Sequence, residues 1–157
     1  MTLVPTLLRS AGCALLVTAS AAFAATAGDA KRGEYLAAAG GCVACHTASG
    51  KEAARFAGGH ALKTPFGTFY GPNITPHPQA GIGRWGEADF VRAMRNGVRP
   101  DGAHYFPAFP YPSYTRIVDA DLRDLWAYLR SLPPNARQNQ EHELRFPFGF
   151  RFLLWSW

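Results

Sequence analysis

The segment Cys42-Val43-Ala44-Cys45-His46 constrains this chain more than any other feature of its sequence. Its Cys-x-x-Cys-His pattern is the one through which haem is covalently attached to a polypeptide. Two thiols on one helical turn can add to the two vinyl groups of a single porphyrin, and the adjacent imidazole then lies beneath the iron as its proximal ligand. The pattern therefore predicts one covalently attached haem c, with Cys42 and Cys45 as its attachment points and His46 as an iron ligand.

Other uses of paired cysteines fit the surrounding sequence less well. A redox dithiol is expected in a βαβ setting, whereas the flanks here are alanine-rich and helical in pattern. A zinc site would need further ligands, and Cys13 is the only other cysteine. A disulfide between Cys42 and Cys45 would close too small a loop to stabilise the fold much. None of these explains the histidine that directly follows the second cysteine.

Residues 1–24 have the features of a secretory signal peptide. Arg9 lies near the start, an apolar stretch follows it, and Ala22-Phe23-Ala24 is a small-x-small cleavage pattern. The apolar stretch is interrupted by polar residues and is short for a membrane span of about 20 residues. We therefore expect export of the chain and cleavage after Ala24, which also removes Cys13.

The remaining length suits one domain. Removing 24 of the 157 residues leaves 133, which we divide into a domain of residues 25–134 and a C-terminal tail of residues 135–157. The net charge of +5 at pH 7 comes from Lys and Arg residues at wide intervals. Because these residues form no basic run, the charge argues against nucleic acid as a partner and favours an acidic protein surface.

Three segments have the apolar spacing or the composition of helices. They are residues 30–40, 87–96 and 119–131. Asp29 and Asp119 are placed to cap the first and the last of them. Gly33 is unusual inside a helix, because glycine costs about 1 kcal/mol relative to alanine there, and a close helix crossing is the usual reason to keep it. The last helix is the expected partner in that crossing.

Between Thr47 and Trp85, glycine and proline recur so often that we predict long loops without regular structure. These loops hold apolar residues that a flat macrocycle could bury, namely Phe66, Phe69, Tyr70, Ile74 and Ile82. The carbonyl of Pro65 or of Pro72 is expected to accept the Nδ1 proton of His46 and so fix the tautomer of its ring.

Two terminal helices that cross, a haem motif after the first and a helix in the middle resemble the cytochrome c fold. Several motifs carry a closer resemblance: Thr64-Pro65-Phe66-Gly67-Thr68-Phe69-Tyr70, Pro72-Asn73-Ile74-Thr75-Pro76, Gly81-Ile82-Gly83-x-Trp85, Asp89-Phe90-Val91-Arg92-Ala93 and Pro110-Tyr111-Pro112-Ser113-Tyr114. They are similar to the cytochrome c subunits of periplasmic alcohol and gluconate dehydrogenases and to the cytochrome partners of related molybdenum hydroxylases. The resemblance implies an all-α, class I-like cytochrome c fold with long loops around the haem.

The same resemblance implies a function. Proteins of this kind are not themselves the catalysts: they accept electrons from a dehydrogenase subunit in the periplasm and pass them to the respiratory chain. Several carry three haem domains in tandem, whereas this chain has one motif and the length of one domain. It therefore resembles a single module of such a system.

One departure from the family concerns the sixth iron ligand. The family places a methionine in a Pro-Ala-Met-Pro-Tyr run, and this chain has Phe109 at that position. Phenylalanine cannot bind iron, and Met94 is the only methionine that remains once Met1 leaves with the signal peptide. Met94, His104 and an open site stay as alternatives. An open iron would favour a different function, that of a haem sensor or a peroxidase-like protein.

The C-terminal tail combines aromatic and basic residues. After Leu144 it contains Arg145 and Arg151 together with four Phe and two Trp: Phe146, Phe148, Phe150, Phe152, Trp155 and Trp157. This segment is too short to span a bilayer, but it suits docking on a membrane surface or on a partner subunit. The alternative is that it folds back over its own domain.

Overall fold

The structure is a computed structural model that describes residues 27–156, so the predicted signal peptide lies outside the described residues. Within this range the helices are α1 (Ala30–Ala39), α2 (Cys42–His46), α3 (Glu87–Asn96) and α4 (Asp119–Ser131). The strands are β1 (Ala61–Thr64), β2 (Gly67–Tyr70) and β3 (Glu143–Leu144). Two 3-10 helices cover Tyr111–Ser113 and Arg151–Ser156. The three helices expected from the sequence are confirmed.

Helices α1 and α4 cross at Gly33, as predicted. A Cβ atom at this position would overlap the carbonyl oxygen of Asp124 and come within 2.8 Å of the Cβ of Tyr128. Asp124 also ties the two helices together, because its Oδ1 accepts the backbone N–H of Asp29 at 2.7 Å and its Oδ2 lies 3.0 Å from Nε of Arg32. Glycine therefore allows backbone-to-backbone contact where any side chain would hold the helices apart.

The core lies between these two helices, α3 and the loop that follows α2. Leu122 of α4 is fully buried at its centre, with the ring of Phe56 edge-on to Tyr128 at 5.9 Å. Trp126 stacks on Phe90 of α3 at 5.5 Å. The remaining buried apolar members of the cluster are Ala37, Ile82, Leu125 and Leu129. Aromatic pairs of this geometry add to the stabilisation that burial alone provides.

The predicted cap at Asp29 is confirmed, whereas the one at Asp119 is wrong. The Asp29 carboxylate accepts the N–H groups of Lys31 and Arg32 at 2.9 and 3.2 Å. The N-cap of α4 is Val118, which has no capping side chain, and Asp119 is already helical. Its carboxylate instead lies 2.5 Å from Arg95, where a negative charge in the first helical turn is still favourable.

The expectation of an all-α fold is wrong, because the chain also forms a three-stranded antiparallel sheet in the order β1-β2-β3. The hairpin of β1 and β2 turns at Pro65-Phe66, where Gly67 has a φ of 127° and Thr64 Oγ1 accepts the N–H of Phe66 at 3.2 Å. Strand β3 then pairs Leu144 with Gly67. The rest of the cytochrome-like arrangement, with crossing terminal helices and a helix between them, agrees with the class I-like expectation.

Residues 135–144, which we call the C-terminal strap, return from the end of α4 across the loop before α3. The backbone N–H of Asn135 donates to Thr75 Oγ1 at 3.1 Å, and Nδ2 of Asn139 donates to the carbonyl of Ala80 at 3.0 Å. Farther along, Nδ1 of His142 accepts the N–H of Tyr70 at 3.1 Å. The division of the chain at residue 134 stays a prediction, and these contacts fasten the following residues to the loop.

Beyond the strap, the tail forms an aromatic cluster with the β1–β2 turn. The rings of Phe66 and Phe148 are 4.8 Å apart, and Phe150 lies 5.8 Å from Phe146 and 5.7 Å from Phe152. All five phenylalanines are exposed to solvent. Among residues 27–156, no helix is both long and apolar enough to cross a membrane.

Candidate haem site

Helix α2 presents the two thiols of the motif on a single turn. It starts directly after Gly41, whose φ of 67° lets the chain turn sharply out of α1. Cys42 is half-buried, Cys45 is exposed, and both are free thiols rather than a disulfide. Burial raises the pKa of the Cys42 thiol, which keeps this sulfur protonated at neutral pH. The fold therefore holds both sulfurs available on one short helix.

The imidazole of His46 is fixed by the loop before α3. Its Nδ1 lies 2.8 Å from the carbonyl oxygen of Pro72. A carbonyl can only accept, so Nδ1 carries the proton and Nε2 keeps its lone pair. Burial lowers the pKa of His46, which favours this neutral ring. Of the two carbonyls expected to hold Nδ1, the one that does so is that of Pro72.

Backbone contacts press the same loop against α2. A Cβ at Gly71 would overlap the carbonyl oxygen of Cys45, so only glycine lets the two backbones meet there. The N–H of Gly58 donates to the carbonyl of His46 at 2.8 Å, and the N–H of Phe56 donates to Thr47 Oγ1 at 3.0 Å. The orientation of the imidazole is thus set by the backbone on both sides of α2.

Apolar and aromatic side chains surround the motif. Cys42, Val43 and Ile74 pack against the core cluster, as does Met94 from α3. Burial raises the pKa of Tyr114, with smaller contributions from Cys42 and Cys45.

Phe109 belongs to this aromatic surrounding, whereas His104 lies at the surface. The Phe109 ring is 5.2 Å from Tyr105 and 5.8 Å from Tyr114. His104 pairs with Val98 in an isolated antiparallel bridge, and its carbonyl accepts from Nη1 of Arg151 at 3.0 Å. The structure thus brings Cys42, Cys45 and His46 together on α2 and leaves the choice of a sixth ligand as a prediction.

Two thiols and one imidazole suit a metal ion whose other ligands come from a macrocycle. Two neighbouring thiols can form thioethers, and the one adjacent imidazole nitrogen with a lone pair can act as an axial ligand. A metal held by protein alone would need more ligands, and in the part of the chain that the structure describes no three His, Cys, Asp or Glu residues cluster as such a site requires. The residues therefore fit a covalently attached haem.

Sequence reasoning missed three residues that build this site: Gly71, Asn73 and Thr75. The side chains of Asn73 and Thr75 are 2% and 1% exposed, which is unusual for polar residues. Both lie in the motif Pro72-Asn73-Ile74-Thr75-Pro76. The one sequence signal for these residues was their position close to Pro72, one of the two predicted His46 acceptors.

The chain is similar to several known proteins. A family model described as cytochrome c matches residues 30–133. A subunit of nicotinate dehydrogenase from Pseudomonas putida is 52% identical over 127 residues, which cover 81% of this chain and 10% of that protein. A diheme cytochrome c-type protein of Cereibacter sphaeroides is 43% identical over 165 residues, covering 94% of this chain and 56% of that protein.

A third relative has a similar level of identity. The cytochrome c subunit of alcohol dehydrogenase (quinone) from Gluconobacter oxydans is 42% identical over 146 residues, covering 91% of this chain and 30% of that protein. The chain therefore spans from about a tenth to just over half of the length of these three relatives.

Proposed function

The chain belongs to the cytochrome c family, and on that premise we propose that it relays single electrons from a dehydrogenase partner toward the respiratory chain. Family membership supports covalently bound haem c as the cofactor. The observation that carries the proposal is the 2.8 Å contact between His46 Nδ1 and the Pro72 carbonyl beside two free thiols. This contact leaves Nε2 as the ligand nitrogen on a ring that cannot rotate freely.

One haem per chain is the number that this sequence supports. Cys42 and Cys45 would hold it through thioether bonds and His46 through Nε2, and Cys13 belongs to the predicted signal peptide. When bound, haem supplies an iron that changes its charge by one electron. One of the similar proteins is named as a diheme cytochrome, so two haems occur in at least one relative.

The proposed donor is a dehydrogenase subunit, because two of the relatives are named as subunits of such enzymes. Chemistry on the organic substrate is then the task of the partner, and this chain is not itself an enzyme. Without the predicted signal peptide and its Arg9, 15 Lys and Arg against 11 Asp and Glu leave a net charge of +4, which favours an acidic surface on that partner. We propose a component of the respiratory chain as the acceptor.

The proposed location is the periplasm, where the signal-like residues 1–24 would direct the chain. The test is N-terminal sequencing of protein recovered from the periplasmic fraction. Cleavage after Ala24 supports the proposal, and an intact N-terminus in the cytoplasm contradicts it.

We propose that the exposed phenylalanine cluster contacts a membrane surface. Phe146 and Phe152 are 85% and 68% exposed. Together with the other exposed phenylalanines of the cluster they form an apolar patch, whereas single exposed apolar residues need no explanation. Arg145 lies in the same segment and supplies a positive charge that anionic headgroups attract. Sedimentation with anionic and with zwitterionic vesicles tests this: the wild type is expected to bind the anionic vesicles, and a Phe146→Ser, Phe152→Ser double variant to lose that binding. Equal sedimentation of both proteins would contradict the proposal.

Visible spectra of the purified holoprotein test the relay function directly. A relay is expected to show low-spin α and β bands when reduced and no response to carbon monoxide. A high-spin spectrum that shifts with the gas would instead support a haem sensor or peroxidase-like protein, the function that Phe109 at the family's methionine position favours. Repeating the measurement on Met94→Leu and His104→Ala identifies the sixth ligand. A secreted polypeptide of unmodified mass without Soret absorption would refute haem attachment itself.

A further inference from the structure

We propose that Asn73 positions His46 by fastening the C-terminal strap to the loop that holds the imidazole. The inference rests on the proposed function, because it concerns the role of His46 as an iron ligand. Asn73 directly follows Pro72, whose carbonyl accepts the Nδ1 proton of His46 at 2.8 Å. A displacement of Asn73 therefore displaces that carbonyl.

Every hydrogen-bonding group of the Asn73 side chain has a partner. Its Nδ2 donates to the carbonyls of Asn135 and Arg137 at 2.8 and 3.0 Å, which uses both amide hydrogens on the strap. Its Oδ1 accepts from the backbone N–H and the hydroxyl of Thr75 at 2.9 and 2.7 Å. Buried at 2% exposure, the amide is fully satisfied only while the strap is in place.

The strap also binds the backbone of Asn73. Oδ1 of Asn139 accepts the N–H of Asn73 at 2.7 Å, while Nδ2 of the same Asn139 donates to the carbonyl of Ala80 at 3.0 Å. Asn139 thus links Asn73 to Ala80 within the loop that precedes α3. The hydroxyl of Thr75 completes the connection, because it accepts the N–H of Asn135 at 3.1 Å.

On the side opposite the strap, the loop packs against α2. Gly71 meets the carbonyl of Cys45 without room for a side chain, and its N–H donates to the carbonyl of His60 at 2.9 Å. Pro72 therefore lies between α2 on one side and the strap on the other. Because α2 and the strap both hold this loop, the Pro72 carbonyl keeps one position relative to the imidazole, and Asn73 makes the contacts on the side of the strap.

A histidine ligand donates more electron density when its other nitrogen hydrogen-bonds to a well-placed acceptor. This donation favours the oxidised iron, so a loosened Pro72 carbonyl is expected to raise the midpoint potential. A residue that only stabilised the fold would lower the unfolding temperature without moving the potential. The two roles therefore differ in a measurable quantity.

The experiment compares midpoint potentials and unfolding temperatures of the full-length holoprotein in four forms. These are the wild type, Asn73→Ala, the milder Asn139→Ala, and Gly33→Ala as a control that disturbs the helix crossing away from the loop. We expect the potential to rise in Asn139→Ala, to rise further in Asn73→Ala, and to stay at the wild-type value in Gly33→Ala. In the double variant of Asn73 and Asn139 the rise should exceed that of Asn73→Ala, because Asn139 also holds the backbone N–H of residue 73, which alanine keeps.

Wild-type potentials in both asparagine variants would overturn the inference, as would an equal rise in Gly33→Ala. If Asn73→Ala gives no holoprotein, the potential of Asn139→Ala tests the inference alone. Asn139 is exposed, so this substitution disturbs the fold less. A wild-type protein without covalent haem has no potential to measure. That result would refute the proposed function, which distinguishes it from failure of the positioning role alone.

Discussion

Replacing Gly33 by alanine is expected to destabilise the protein, although alanine is the better helix former. An added methyl group would overlap the carbonyl oxygen of Asp124 and approach the Cβ of Tyr128 to 2.8 Å. Both obstacles are fixed parts of α4 rather than the ends of flexible side chains. The helices can accept the methyl only by moving apart, which opens the crossing along α1.

The expected magnitude combines two effects of opposite sign. Adding a methylene to a packed site costs about 1–3 kcal/mol, and an obstacle made of backbone places this site at the upper end. The higher helix propensity of alanine stabilises the folded protein by about 1 kcal/mol. The net loss is therefore about 2 kcal/mol, which for a domain of this size lowers the unfolding temperature by roughly 8 °C.

Thermal unfolding of the holoprotein, followed by far-ultraviolet circular dichroism, measures this loss. Ala38→Gly is the matched control, because it makes the reverse exchange at an exposed position of α1 and should cost up to about 1 kcal/mol. Helix propensity alone predicts that the two substitutions have opposite effects, whereas the crossing predicts that both destabilise and that Gly33→Ala costs more. A Gly33→Ala protein as stable as the wild type would refute the crossing argument.

Three further predictions concern the site and the strap. Gly71→Ala is expected to cost about 1–3 kcal/mol or to prevent haem attachment, because its methyl would meet the backbone of α2; Gly149→Ala, which meets nothing within 4 Å, should leave yield and unfolding temperature unchanged. Burial holds the pKa of His142 below 6.5 in the folded protein, so the unfolded chain binds more protons just below that value and stability should fall as the pH drops through it. His142→Asn keeps an acceptor that does not titrate, and urea unfolding at several pH values should show a smaller fall; an unchanged pH dependence would contradict this. In a Met94→Leu background, Phe109→Met should raise the midpoint potential and weaken carbon monoxide binding, whereas no change in either would show that residue 109 does not reach the iron.

The helices and the thiol motif could be predicted because their signals are local. Apolar residues at three- and four-residue steps mark α3 and α4, and the single glycine of α1 indicated the crossing. The cap of α4 was misassigned because Asp119 engages Arg95, a residue 24 positions away. The sequence around Asp119 cannot indicate a contact with a residue so far away.

The sheet and the strap could not be predicted for a related reason. Strands of four and two residues are too short to show alternation, and Tyr70 meets His142 across 72 positions of sequence. Glycine and proline between Thr47 and Trp85 indicated loops, yet the same residues form the tight turn of a hairpin. The contacts of Asn73 depend on residues more than 60 positions away, so its burial becomes evident only in the folded chain.

The position of the strap bears on how such a unit can be joined to other proteins. The family model ends at residue 133, before Asn135, Arg137 and Asn139 have joined Asn73. A fusion partner spliced in at that boundary would leave a buried amide without its acceptors. A fusion should therefore keep the chain through Leu144, the last residue of β3. We expect fusion proteins that include these residues to keep the midpoint potential of the parent protein.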